Sequence, residues 1–134
     1  MAESNVPADL KYTAEHEWVQ KVGPTTVRVG ITDYAQDQLG DVVFVQLPDV
    51  GATVQVGESF AEVESTKSVS DIYGAINGTV SAVNSDLETT PEQVNADPYG
   101  AGWLIEISVD DEAVVDAQLG DMLDADGYRG VTDQ

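Results

Sequence analysis

Apolar residues recur along this chain at two spacings: every second position through most of its length, and helical spacing near its end. EWVQKV (17–22) and TVRVGIT (26–32) read as two strands around a turn at Gly23-Pro24, with Val27, Val29 and Ile31 on one face. Thr32 is placed to cap a short helix, DYAQDQL, which Gly40 would end. DVVFVQL, rich in β-branched and aromatic residues, reads as a strand. A turn at Pro48-Asp49 and Gly51 leads into TVQV, and a break at Gly57-Glu58 into SFAEVES. VSDIY, the turn GAING and TVSAVN follow. TPEQ (90–93) has the form of a capping box with Pro91 in the first helical position, then NADPYGAG reads as loop and WLIEI as strand. From Asp110 on, Val114, Val115, Leu119, Met122 and Leu123 predict a terminal helix over 110–126, weakened by Gly120. Six or more short strands between tight turns predict a sandwich or barrel with helical decoration. Residues 1–11 carry little pattern and are expected to fray. The stretches beginning at Gly57 and Gly78 echo each other, as two halves of a pseudo-symmetric sandwich would around residues 65–68.

Length and composition narrow the picture to one domain, 1–134, since 134 residues with 42% apolar content suffice for a single core. The charge is extreme: 25 Asp and Glu stand against 5 Lys and Arg, a net charge of −20. Such a chain is repelled by nucleic acid and by anionic membrane surfaces. The acids are scattered from Glu3 to Asp133, which describes a solvated surface and reads as adaptation to high salt. With no cysteine, the chain has no disulfide, thiolate nucleophile, cysteine-ligated cluster or zinc–thiolate site. Any redox chemistry must be carried by something attached. MAESNVPADLKY has neither the charged and apolar regions of a secretory signal nor the arginines of a transit peptide, and no apolar run approaches membrane-spanning length. The expected location is cytoplasmic.

One lysine stands out against this background. Lys67 is one of three, and it lies in VESTKSVSDIYG between small hydroxyl residues. If residues 59–64 and 69–73 pair, Lys67 falls at a hairpin tip with neighbours small enough to let another protein reach its amine. A solubilising surface lysine is the plain alternative, but this sequence has replaced nearly every other surface lysine with acid. Schiff-base catalysis would call for burial or a neighbouring cation, whereas the neighbours here are acids and small hydroxyl residues. No glycine-rich phosphate cradle for a pyridoxal cofactor accompanies it. Attachment of a group carrier fits better.

The segment resembles the attachment hairpin of lipoyl domains, and nearly the whole chain is similar to the H-protein family of the glycine cleavage system. The likeness runs through KYTAEHEWV (11–19), GITDYAQDQLGDVVFVQLP (30–48), GESFAEVESTKSVSDIYGAINGTVSAVN (57–84) and VNADPYGAGWLIEI (94–107). Biotin carrier domains share the hairpin but place methionine on both sides of the lysine, where this chain has Thr66 and Ser68. The resemblance implies a mostly β fold: a lipoyl-domain-like barrel-sandwich hybrid of two antiparallel sheets with short helices and a C-terminal helix. It implies lipoate on Lys67 as N6-lipoyllysine, and no catalysis by the carrier itself. It also implies four partners. The P protein, a pyridoxal-dependent glycine decarboxylase, loads an aminomethyl group. The T protein, an aminomethyltransferase, removes it, and the L protein, a dihydrolipoyl dehydrogenase, reoxidises the dithiol. A lipoate-attaching enzyme modifies the lysine. Glu17 and Asp71 match the family positions that hold the amine end of the loaded arm. Glu15 departs from the family, many members of which have a smaller residue there.

Plainer readings stand beside these. Glu17 and Asp71 are two of 25 acids. His16, the only histidine, reads as a packing or hydrogen-bonding residue, and Trp18 and Trp103 as core. Glu62 and Glu64 share a strand face and read as solvated, not as a hydrolase pair. Asp124 and Asp126 before Gly127 lack the alternating ligands of a calcium loop, and no metal site is expected. The alternatives for function are a lipoyl carrier of a 2-oxo acid dehydrogenase complex, a relay of lipoyl groups to other enzymes, and a freestanding enzyme built on Lys67. The HEW segment, the NADPYGAGW loop and the absence of a Pro- or Ala-rich linker count against the first. If the charge is an adaptation to salt, docking rests on shape and apolar contact. Transfer assays from low to molar salt should then show sustained transfer, and loss of transfer as salt rises would sink that reading.

Overall fold

The computed structural model describes residues 6–132. Among them, nine strands form two antiparallel sheets, as expected for the barrel-sandwich class. The larger sheet has the order β1 (Lys11–Tyr12), β2 (Glu17–Gly23), β3 (Thr26–Ile31), β9 (Ile105–Ser108), β8 (Gly78–Val83) and β5 (Thr53–Val54). The smaller places β4 (Val42–Gln46), β6 (Ser59–Ser65) and β7 (Val69–Tyr73) side by side. Four short helices decorate them: α1 (Asp33–Leu39), α2 (Gln93–Ala96), α3 (Glu112–Gly120) and α4 (Ala125–Thr132).

The period-2 pattern is what closes the sandwich, because alternate side chains of a strand share a face. Val27, Val29 and Ile31 of β3 all lie in the main core, joined there by Val45, Val63, Val80, Ile105 and Ile107 from both sheets. Successive residues of β2 divide between two cores: Val19 enters this main cluster while Trp18 enters a second. That second cluster lies on the far face of the larger sheet and gathers Val6, Leu10, Tyr12, Trp18, Ala125 and Tyr128. Trp18 is fully buried, and its indole N–H donates to the Pro98 carbonyl at 2.9 Å. Trp103, expected in the core, is half-buried beneath the Arg28 guanidinium, 4.8 Å from the ring centre.

Local sequence signals are partly realised. Thr32 caps α1, its hydroxyl accepting the Ala35 N–H at 3.2 Å, and Gly40 ends the helix at a left-handed φ of 81°. The capping box at TPEQ does not form. The Thr90 hydroxyl donates to the Asp86 carbonyl instead, and α2 begins at Gln93 without a side-chain cap. A preceding 3-10 turn (Ser85–Glu88) explains this, since the Asp86 carbonyl that ends it, already accepting the Thr89 and Thr90 N–H groups, lies within reach of the Thr90 hydroxyl as well.

Two expectations are corrected. The helix foreseen over 110–126 is two helices, because α3 stops at Gly120 and Leu123 pairs instead with Tyr12 at the edge of the larger sheet. Asp124 then restarts the chain, its carboxylate accepting the Gly127 N–H at 2.8 Å. The expected fraying of residues 1–11 fails over 6–11, where Val6 and Leu10 are buried against α4 and Lys11 is in β1; residues 1–5 lie outside the described part.

Gly30 lies under Trp18, where an added Cβ would stand 2.6 Å from the indole nitrogen. Gly30→Ala is therefore expected to lower stability by about 2–3 kcal/mol in urea unfolding. An unchanged midpoint would mean that Trp18 can move aside without loss.

Candidate functional site

The lysine hairpin is built from its own hydroxyl residue. Between β6 and β7, Ser65 accepts on Oγ the N–H groups of Lys67 and Ser68, both at 3.2 Å, while its backbone N–H donates to the Ser68 carbonyl at 2.8 Å. One side chain thus holds a turn of three residues and leaves Lys67 at the tip. Lys67 is exposed, and among the described residues its amine makes no hydrogen bond or ion pair. Lys21, Arg28 and Arg129, by contrast, are each paired with carboxylates.

The turn is also tied to the body of the protein. The Thr66 N–H donates to the Asp41 carbonyl at 3.1 Å. Asn95 holds the segment on either side of Asp41: its amide oxygen accepts the Val42 N–H at 2.8 Å, and its NH2 donates to the Gly40 carbonyl and to Gln36. The methylene stem of Lys67 lies against Gly40, where a Cβ would meet its Cε at 3.2 Å. Glycine is favoured there by its left-handed φ, while the exposed Lys67 stem could yield the few tenths of an ångström that a Cβ would need.

Beside α1 a cleft of about 360 Å³ opens, lined by Tyr34, Gln38 and Leu39 on one wall, and by Asp71, Glu15 and His16 opposite. It begins one residue from Gly40 and runs about 7–8 Å along the helix from Leu39 to Tyr34. Its far end is a tight turn in which the His16 N–H donates to the Thr13 carbonyl at 3.1 Å. His16 takes a φ of 70°, the left-handed conformation that usually calls for glycine. Its ring Nδ1 is 2.8 Å from the Tyr128 hydroxyl, and its ring centre 4.8 Å from that of Tyr34. Burial lowers the imidazole pKa below its ordinary value, favouring a neutral ring.

The two acids expected together take different stations. Asp71 is exposed on β7 and lines the cleft. Glu17 does not line it: its carboxyl is buried, with Oε2 accepting the Tyr73 N–H at 2.8 Å and Oε1 facing the Thr13 hydroxyl at 3.4 Å. Burial pushes its pKa up to about 8 against the pull of the Tyr73 N–H, with the Glu15 charge adding to the rise. Glu15 is the acid that shares the cleft with Asp71.

Of the residues singled out in the sequence, Lys67 lies at the hairpin tip, Asp71 and Glu15 line the cleft and Thr32 caps α1, whereas Gln38, Tyr34 and Tyr128 were not singled out. Tyr34 and Gln38 stand four apart on one helix face, a legible spacing; nothing local signals that Tyr128, over 100 positions from His16, meets it. Glu62 and Glu64 are exposed on the outer face of the smaller sheet, as read. Among the described residues no cluster of acids and histidine suits a metal ion, and no helix is long and apolar enough to cross a membrane.

Comparison with known proteins gives a consistent set of likenesses. The family model described as glycine cleavage H-protein matches residues 10–130. A glycine cleavage system H protein from Mycobacterium avium is 63% identical over 127 residues, covering 95% of this chain and 96% of the relative. Its namesake from Mycolicibacterium gilvum is 65% identical over 127 residues with the same coverage, 95% and 96%. The crystal structure of a glycine cleavage system H protein from Mycobacterium marinum superposes with a TM-score of 0.84 at 42% identity, covering 96% of this chain and 100% of that one.

The protonation of Glu17 has a measurable consequence. Folded, the carboxyl keeps its proton to about pH 8; unfolded, it releases it near 4.5. The native state therefore binds more protons across that window, and its stability falls as pH rises through it. Glu17→Gln, which cannot ionise, is expected to gain about 2–4 kcal/mol on the wild type between pH 5 and pH 9 in denaturant titrations. A difference that stays constant with pH would show Glu17 ionising as an ordinary carboxyl.

Proposed function

The chain belongs to the glycine cleavage H-protein family, and from that premise we propose that Lys67 carries lipoate in amide linkage. Membership makes it the lipoyl carrier of the glycine cleavage system. The observation that carries the assignment to Lys67 is its place: an exposed, unpaired amine at the tip of a hydroxyl-braced hairpin, with its stem against Gly40 beside an open cleft. The residues present fit the group, because small neighbours leave the amine accessible to an attaching enzyme and the braced turn holds it in one place. When bound, lipoate supplies two sulfurs that exchange a one-carbon cargo and electrons, which this cysteine-free chain cannot supply itself.

The chain's own residues then present, orient and shield. The braced hairpin makes each transfer intramolecular once a partner docks, which raises the effective concentration of the tethered group. Asp71 and Glu15 offer two carboxylates to the ammonium end of an aminomethyl cargo, and the cleft limits its exposure to water. Glu17, matched to the same role by resemblance, acts from beneath by holding the Tyr73 N–H. The partners are the P protein that supplies the cargo, the T protein that removes it, the L protein that reoxidises the dithiol, and a lipoate-attaching enzyme. The carrier has no catalytic role of its own, and its place of work is the cytoplasm. The HEW segment and the C-terminal helices favour this set of partners over those of a 2-oxo acid dehydrogenase.

Intact mass of protein from its native host, with peptide mapping, should find one lipoyl group on Lys67 and none on Lys67→Arg. A biotinyl mass would move the assignment to a carboxylase carrier. An unmodified Lys67 from lipoate-making cells, unchanged by a lipoate ligase, would refute it.

A further inference from the structure

Both walls of the cleft are held by one hydroxyl from the far end of the chain. Tyr128, in α4, is fully buried, and its oxygen stands 2.7 Å from Thr32 Oγ1 and 2.8 Å from His16 Nδ1. Thr32 is itself fully buried and caps α1, the wall that carries Tyr34, Gln38 and Leu39. His16 belongs to the opposite wall with Glu15. The phenol ring is fixed independently of its hydroxyl, stacked on Tyr12 at 4.9 Å and 16° and set edge-on to His16 at 5.7 Å.

We propose that Tyr128 is a positioning residue for the arm cleft: its hydroxyl, anchored on Thr32, fixes the orientation of the His16 imidazole in the cleft wall and selects one of its tautomers. The proposal rests on the carrier reading of Lys67.

The geometry requires such a device. The left-handed turn at His16 costs about 1 kcal/mol for a residue with a side chain, so it persists only where the surroundings demand it. Two backbone hydrogen bonds hold the main chain there, His16 N–H to the Thr13 carbonyl at 3.1 Å and Thr32 N–H to the His16 carbonyl at 3.0 Å, while the hydrogen bond to Tyr128 and the contact with Tyr34 fix the ring. With Nδ1 engaged, Nε2 is the free ring nitrogen, since among the described residues it has no partner. The Tyr128 hydroxyl has a single proton to share between Thr32 and His16. Removing it leaves the hydroxyl of Thr32 with only its capping bond and frees the imidazole to rotate and to exchange tautomers. With the imidazole loosened, the cleft wall would admit water to the bound cargo: R–S–CH2–NH3+ and H2O give R–SH, formaldehyde and NH4+, as the S–C and C–N bonds break, the carbonyl forms, and the two water protons pass to sulfur and nitrogen.

Tyr128→Phe keeps the ring and deletes the hydroxyl. In lipoylated protein whose arm has been loaded with the aminomethyl group, formaldehyde release should quicken about three- to tenfold, the worth of one net hydrogen bond. Lipoate attachment and reduction of the arm by dihydrolipoyl dehydrogenase should not change. The second reading is independent of the arm: ¹⁵N NMR of the His16 ring in unlipoylated protein should show one dominant tautomer in the wild type and a mixture in Tyr128→Phe. Thr32→Ser, which retains the bridging hydroxyl, should behave as wild type in both, and so guards against a merely unstable variant. Wild-type release kinetics in Tyr128→Phe, or an unchanged tautomer ratio, would overturn the proposal while leaving the carrier reading intact. Wild-type protein that cannot be lipoylated at Lys67 would overturn the carrier reading and the role of Tyr128 with it.

Discussion

The amide of Asn95 is the constraint from which the site hangs. It uses its one acceptor and both donors on a single short stretch, meeting the Val42 N–H, the Gly40 carbonyl and the Gln36 side chain. That stretch is where α1 ends, where the chain reverses at a left-handed glycine, and where the smaller sheet begins. Asp41, in its middle, accepts the Thr66 N–H of the lysine turn. The position of Lys67 relative to the cleft is thus set by Asn95 of α2, which is distant in sequence from both. An aspartate at 95 would keep the acceptor and lose both donors, leaving the Gly40 carbonyl short of a partner.

The charge of the molecule is arranged with the same economy. Three of its five basic residues are spent on ion pairs, and two of those residues join β-strands to neighbouring elements: Lys21 to Glu112 and Asp116 of α3, and Arg28 to Glu106 across the β3–β9 ladder. These exposed or half-exposed pairs add little to stability individually. They do remove cations from the surface, so that Lys67 stands in a field of acids. In and beneath the cleft the signs are sorted by burial. Glu15 and Asp71 face solvent, Glu17 is turned inward and favours its protonated form near neutrality, and His16 favours the neutral ring. The result suits a ligand with a positive end, because the acidic groups are outward and the one imidazole beside them does not oppose it.

The two hydrophobic clusters divide the work between fold and site. The main cluster joins the sheets and would hold a sandwich together in any protein of this architecture. The second, around Trp18, Tyr12 and Tyr128, packs α4 and the segment before β1 onto the outer face of the larger sheet. It is the second that reaches the cleft, through the Tyr128 hydroxyl. Loosening the C-terminal helix would thus be felt at the cleft before it was felt in the sandwich.

How much of this was legible in advance depended on the range of the interaction. The strands, the α1 cap at Thr32, the stop at Gly40 and the hairpin presenting Lys67 were all readable, since period-2 burial, N-capping and tight turns involve neighbours within a few residues. The capping box at 90–93 failed for the same local reason, because a nearer carbonyl competed for the Thr90 hydroxyl. The sequence by itself also determined that the chain has no thiol chemistry of its own, for it contains no cysteine. Only the tertiary structure decided the fate of the carboxyls. Glu15, Glu17 and Asp71 are chemically alike, and whether each faces solvent or a backbone N–H depends on which strand lies across from it. It alone decided as well that the terminal helix would break at Gly120, since Leu123 gained a partner in Tyr12, and that Tyr128 would meet His16. These contacts join residues more than 100 positions apart, and no pattern within either segment encodes the other's position.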